Sequence, residues 1–365
     1  MHKKDERIER LEKWGRGIPQ PPTTIELVPT DKCNFNCGSC WRQGISEEDL
    51  EKKYNMEIGD ERLLKLVDEA HEIGVLEFAF VGGGEPLCRD ITYRLMKKIR
   101  KYGMEGDLVT NGSLLTEEMM ETLVEVGWTR IKFSIDGSDE KLQDELRGIK
   151  CYKNILENIK TLNRLKKEKK KDFPKIGFNT VISNKNYKDL PNIIGLAHEI
   201  GCNEILILPL TIFSDEGKKL KLDHEQMVEF QGIIKECLPK LKKYNIFSNL
   251  EEFMDLRYVD KTNSMHEVLM EEAEKVKGDF KTVPCFEPWK HITIIANGNI
   301  ACCFNDYVWN TTVTIKDRTL KELWYGPEFE KYREQVLTRK LPEACATCCV
   351  WRVFETKGIR EKLNL

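Results

Sequence analysis

Six short runs rich in Val, Ile and Phe recur in the first 210 residues, each separated from the next by a stretch with helical patterning. They are residues 23–30, 75–82, 106–111, 130–136, 175–183 and 204–210. Such composition suits buried parallel strands. A strand–helix–strand repeat within one sheet crosses over right-handed. Six units of this kind predict an α/β fold, a partial (β/α)6 barrel of the TIM type. Functional groups should then sit on loops at the C-terminal ends of the strands. Between the runs, ERLLKLVDEAHEIG reads as a helix ending at Gly74, and TEEMMETLVEVG as one opening on Thr116 and closing on Gly127.

The rest of the chain divides around that repeat. Residues 1–22 read as an N-terminal extension, a charged helix followed by a Pro-rich connector. Residues 23–215 carry the barrel, 216–280 a helical bridge, and 281–365 a small C-terminal α+β part. That last part opens on a hairpin signature, in which Asn297-Gly298 between apolar runs favours a type I′ turn. A helix is expected around 319–338, interrupted near Gly326-Pro327. The KKEKKK run at 166–171 reads as a solvated loop.

Composition removes several classes. A formal net charge of −3 argues against a general nucleic-acid binder. No apolar run reaches membrane-spanning length, so no transmembrane segment is expected. The first residues lack an apolar signal core, which makes the cytoplasm the expected compartment. Thirteen cysteines in such a chain point to metal binding before a disulfide framework. The 33% of charged residues, mostly Lys and Glu, hint at a thermophile.

Cys33, Cys37 and Cys40 form a C-x3-C-x2-C run, CNFNCGSC, after the first strand. Iron–sulfur clusters normally take four thiolates, so three on one loop leave an iron open to another ligand. A zinc loop completed from elsewhere is the other reading, although zinc sites usually pair their ligands as C-x2-C. After the second strand comes Gly82-Gly83-Gly84-Glu85-Pro86, where glycines let backbone approach a ligand and Glu85 can accept from a cationic amino group.

Together these motifs resemble the radical S-adenosylmethionine (SAM) superfamily. Thr110-Asn111-Gly112, Ser134-Ile135-Asp136-Gly137 and Arg147-Gly148 extend the likeness across roughly residues 23–210. The resemblance implies that Cys33, Cys37 and Cys40 hold three irons of a [4Fe–4S] cluster, and that SAM chelates the fourth. It further implies Gly83, Gly84 and Glu85 at the amino group of SAM. Ser134 and Arg147 fall at its carboxylate or ribose, and Asn111 and Asp136 serve as ribose contacts or loop-ordering residues. Leu206–Leu208 would face the adenine or fill the barrel core. Where the family stacks an aromatic residue before the third cysteine, this chain has Ser39, with Trp41 one place beyond that cysteine. The implied chemistry is reductive cleavage of SAM to a 5′-deoxyadenosyl radical, which abstracts hydrogen from an unactivated C–H bond. A ferredoxin- or flavodoxin-like donor is the implied reducing partner.

A second constellation lies in the C-terminal part. Cys285, Cys303 and the C-x2-C pair Cys345 and Cys348 could be gathered by a hairpin and a knuckle. The pattern resembles the twitch domain, a shortened SPASM extension. It implies one auxiliary [4Fe–4S] cluster on those four cysteines, two clusters in all; a four-cysteine zinc knuckle satisfies the same spacing. Cys302 and Asp306 are the candidate catalytic residues, as hydrogen donor and proton acceptor respectively. Glu287, also beside the cysteines, reads better as an exposed carboxylate, and Cys88, Cys151, Cys202, Cys237 and His291 as packing residues. The short twitch domain favours a non-peptide metabolite as substrate, such as a sugar, aminocyclitol, lipid or cofactor precursor. Oxidation, epimerisation or C–C bond formation would follow. The alternative is a peptide or protein maturase; 22 residues ahead of the first strand are few for a peptide-recognition domain.

Overall fold

The computed structural model describes residues 5–254, 280, 283–303, 313–341, 345 and 350–363; for 350–354 it describes the backbone alone. Nine strands are found among them: β1 (Thr24–Leu27), β2 (Glu77–Phe80), β3 (Glu105–Thr110), β4 (Arg130–Ser134), β5 (Lys175–Ile182), β6 (Glu204–Pro209), β7 (Phe247–Ser248), β8 (His291–Ile294) and β9 (Ile300–Ala301). Each of the six expected runs coincides with one of them, β3 starting one residue ahead of its run. The fold is α/β with a parallel sheet core, a partial barrel, joined to a small C-terminal part of helices and strands. The chain divides into two compact units. One holds residues 28–57 and 80–259, the other residues 1–27, 58–79 and 260–365.

In the unit of residues 28–57 and 80–259, β3, β4, β5, β6 and β7 lie side by side, all parallel. Registered residues of neighbouring strands share a face. One face is apolar: Leu108, Ile131, Phe133, Ile176, Phe178, Ile205 and Ile207 are all buried. The other face carries charge at its lower end. Lys132 Nζ lies 2.7 Å from Asp107 Oδ2 and 3.8 Å from Glu204 Oε1, and Arg130 Nε lies 3.3 Å from the same Asp107 oxygen. Gly177 registers between Lys132 and Glu204, and a Cβ there would stand 2.6 Å from Glu204 Cγ. The alternation in RIKFS is therefore meaningful: Ile131 and Phe133 lie on the buried apolar face, while Arg130, Lys132 and Ser134 face the opposite way.

In the other unit, β1 pairs with β8 in parallel and β8 with β9 antiparallel. The helix Glu6–Gly15 buries Ile8 and Leu11 in a core with Val283, Phe286, Trp289, Val336, Ile359 and Leu363. The expected break at Gly326-Pro327 separates two helices, Leu320–Trp324 and Pro327–Leu337, the second with Pro at its start. The β8–β9 hairpin forms, but its turn is not type I′. That type needs a left-handed backbone at both central residues, and only Gly298 (φ 88°) has it. Ile295 N donates to Asn299 O and Gly298 N to Ile295 O, closing a three-residue loop.

Helix ends follow the sequence. Gly74 takes a left-handed C-cap (φ 86°) after the helix Asp60–Ile73, and the Thr116 hydroxyl accepts from Met119 N at 3.2 Å. No helix among the described residues is long and apolar enough to cross a membrane.

Candidate functional site

The three loop cysteines lie in the unit of residues 28–57 and 80–259. Their loop has few backbone hydrogen bonds of its own: Cys40 N donates to Cys37 O (3.0 Å) and Phe35 N to Cys33 Sγ (3.4 Å). Phe35 is buried and anchors it. Cys33, Cys37 and Cys40 are half-buried free thiols. Burial pushes the Cys33 thiol up to about 11, and Glu85 and Cys37 add to the shift. Burial and the neighbouring Cys37 also raise Cys40. Cys37 is thus the electrostatic neighbour of both other sulfurs.

The glycine-rich loop lies against this loop, backbone to backbone. Gly84 N donates to Thr30 O (2.9 Å) and Glu85 N to Lys32 O (2.8 Å). A Cβ on Gly84 would fall 1.9 Å from Lys32 O, and one on Gly83 2.1 Å from Asp31 Oδ1. Gly84→Ala is expected to force the two loops apart and cost about 3 kcal/mol or more, read as a lowered urea midpoint. Gly38→Ala is the control: a Cβ there meets nothing within 4 Å, so its effect should stay within about 0.5 kcal/mol.

Glu85 is buried, and much of its carboxylate serves the chain itself. It accepts from Thr110 Oγ1 (2.7 Å), Asn111 N (2.7 Å) and Leu87 N (3.2 Å). A carboxylate has about four acceptor sites, so one remains. Burial raises its pKa against those three donors. Asn111 orders loops: its Nδ2 donates to Asn34 Oδ1 of the cysteine loop (2.9 Å), and its Oδ1 accepts from Ser113. Asp136 and Arg147 form a buried pair at 2.7 Å, not a surface one. Asp136 also accepts from Val181 N. Burial works against the Arg147 charge, but Asp136 and Cys37, whose sulfur accepts a hydrogen bond from Arg147, more than offset it and raise its pKa. Gly148, left-handed at φ 67°, packs on the cysteine loop; a Cβ there would lie 2.6 Å from Asn36 O.

Sequence reasoning passed over Asn179. It registers beside Ser134 on one side and Leu206 on the other, on the polar face of the sheet. Its Oδ1 is buried without a hydrogen-bond partner, and such a group is costly. The available signal was one amide inside the apolar run KIGFNTVI.

The motifs imply a [4Fe–4S] cluster and SAM, and the residues present fit both. Three free thiols circle one loop, and a guanidinium faces the middle one. An amide oxygen lacking a partner stands beside Ser134. Among the described residues, no three His, Cys, Asp or Glu side chains converge on one metal ion. A cluster needs no such convergence, because each thiolate takes its own iron.

In the unit containing the C-terminal part, Cys285 Sγ accepts from Glu287 N at 3.4 Å. Burial lifts Cys285 well above the usual thiol range, and Glu287, Cys303 and Cys345 add to this. Cys303 and Cys345 thus act on Cys285 electrostatically. Cys348, Cys349 and Asp306 lie outside the described residues. Cys302 is half-buried beside Cys303. Glu287 is not an exposed carboxylate: it is 3% exposed and pairs with Lys290 at 2.6 Å. His291 is buried, with Nε2 2.9 Å from Glu26 Oε2.

Comparison with known proteins places these motifs in a wider context. The model of the Radical SAM superfamily matches residues 27–197, and that of the SPASM iron–sulfur cluster-binding domain matches residues 285–349. A "tungsten-containing aldehyde ferredoxin oxidoreductase cofactor-modifying protein" of Pyrococcus furiosus is 29% identical over 51% of this chain. That match spans 52% of the relative, about half its length. A "PqqA peptide cyclase" of Granulibacter bethesdensis is 24% identical over 90% of this chain and 80% of its own. Among solved structures, Streptococcus suis SuiB bound to the precursor peptide SuiA shares the fold. Its TM-score is 0.65 at 16% identity, over 90% of this chain and 70% of that one.

Proposed function

Since the chain belongs to the radical SAM superfamily and ends in a SPASM iron–sulfur domain, we propose that it makes a radical modification on a peptide or protein. The observation that carries this reading is breadth of likeness. The match to a PqqA peptide cyclase runs through both domains, 90% of the chain, whereas the match to the cofactor-modifying protein covers 51%. This shifts the balance from the metabolite substrate that the short twitch domain favoured.

In this reading Cys33, Cys37 and Cys40 hold the SAM cluster, and Cys285, Cys303, Cys345 and Cys348 an auxiliary one. When bound, the clusters and SAM supply one-electron cleavage and the hydrogen-abstracting radical. The chain's own residues bind and orient. The remaining acceptor site of Glu85 and the carbonyls of Gly83 and Gly84 would accept from the amino group of SAM. Ser134 and the unpartnered Asn179 amide offer polar contacts to the rest of the nucleoside. Arg147 holds Cys37 and Asp136 in place. A low-potential donor of the ferredoxin or flavodoxin kind is the partner this chemistry calls for.

Anaerobic turnover with deuterated peptides, read as deuterium in 5′-deoxyadenosine by mass spectrometry, tests the proposal. Label arriving from a peptide side chain supports it. Label arriving only from small metabolites overturns it in favour of the metabolite reading.

A further inference from the structure

The cysteine loop is held in shape in part by side chains that follow it directly. The 3-10 helix Trp41–Gly44 starts directly after Cys40. Two of its side chains turn back on the loop. Arg42 Nη1 donates to Cys33 O (3.3 Å) and Phe35 O (3.4 Å), and its Nη2 donates to Tyr54 Oη (2.8 Å). Gln43 Nε2 donates to Asn36 O (3.0 Å), Asn36 Oδ1 (2.8 Å) and Cys37 O (3.1 Å). Between them, these two side chains hold the carbonyls of residues 33, 35, 36 and 37. Trp41 reaches further, and its Nε1 donates to Gly83 O at 2.8 Å.

The Trp41 contact fixes a whole peptide plane. The carbonyl of the Gly83–Gly84 peptide is held by Trp41, and its N–H donates to Thr30 O at 2.9 Å. A glycine peptide left free would sample other orientations. A carbonyl oxygen has a second lone pair, so the held group can still accept from a ligand.

We propose that Trp41, Arg42 and Gln43 are positioning residues: Arg42 and Gln43 preform the cysteine loop for its cluster, and Trp41 aligns the glycine-rich loop with it for SAM. The inference rests on the family chemistry proposed above, but not on the peptide substrate. It assigns Trp41 a job that the stacking position, filled here by Ser39, does not do. It also makes the loop's shape a property of the metal-free chain.

The test uses the full-length chain with Trp41→Phe, Arg42→Lys and Gln43→Ala. Phenylalanine keeps the ring and removes the donor. Lysine keeps the charge and loses the fork that spans two carbonyls. In metal-free protein, Gln43→Ala and Arg42→Lys should speed amide hydrogen exchange across residues 33–40, and Trp41→Phe at Gly84. After anaerobic reconstitution, Gln43→Ala and Arg42→Lys should lose iron to a chelator about 10-fold faster or more. Trp41→Phe should hold iron normally. Its half-saturating SAM concentration should rise about fivefold to tenfold, read from the change SAM causes in the electron paramagnetic resonance signal and from KM, with kcat little moved. Wild-type exchange, iron retention and SAM titration in all three variants would overturn the proposal. A wild-type chain that loads no four-iron cluster would overturn the functional reading instead, so the two failures are distinguishable.

Discussion

Cys37→Ala protein, reconstituted anaerobically, is expected to bind about four irons per chain where the wild type binds about eight. It should release no detectable 5′-deoxyadenosine from SAM under strong reductant. Cys37 is the most informative of the three cysteines. Its sulfur neighbours both Cys33 and Cys40 electrostatically, and it accepts from Arg147. Alanine would remove one of the three thiolates proposed to hold the SAM cluster. Cys345→Ala is the companion measurement, because it touches the other constellation. It should spare some uncoupled cleavage of SAM while stopping turnover of substrate. Zinc in place of iron, or cleavage by Cys37→Ala at the wild-type rate, would refute the assignment.

Arg147→Met should destabilise the protein by about 3–5 kcal/mol, the cost of leaving one partner of a buried pair uncompensated. The guanidinium and the Asp136 carboxylate are 14% and 9% exposed, and 2.7 Å apart. Asp136 cannot swing out to water, because its Oδ1 accepts from Val181 N and its own N–H donates to Gln143 Oε1 (2.7 Å). Adding Asp136→Asn to Arg147→Met should recover most of the loss, since the double variant buries no unpaired charge. Urea unfolding of the two single variants and the double variant measures the coupling. A loss below about 1 kcal/mol for Arg147→Met would mean that the pair behaves as a surface one.

The elements were legible because their signals are local. Five of the six strands of the repeat lie inside the apolar runs and β3 begins one residue ahead of its run, while Gly74 and Thr116 cap the helices that their sequence neighbours predict. The cysteine and glycine loops were legible because a short motif carries its own chemistry. What escaped depends on register and on distant partners. Asn179 gains meaning only beside Ser134 on the next strand. His291 looks incidental until β1 brings Glu26, 265 residues earlier, to 2.9 Å. Glu287 reads as a surface carboxylate until Lys290 is seen closing over it. The Asn-Gly turn was misjudged for a subtler reason: the dipeptide suits two-residue hairpins, and here the loop has a third member. Substrate class was the least legible, since no residue of the chain names it.

The cysteine loop is gripped by connections from three successive strands: Gly84 after β2, Asn111 after β3, and Gly148 beyond β4. An insertion in any of them would be felt at the sulfurs. The segment after β6 leaves Ile212 and Phe213 open to solvent. Changes at these two exposed side chains would therefore unsettle the packing less than changes in the three connections.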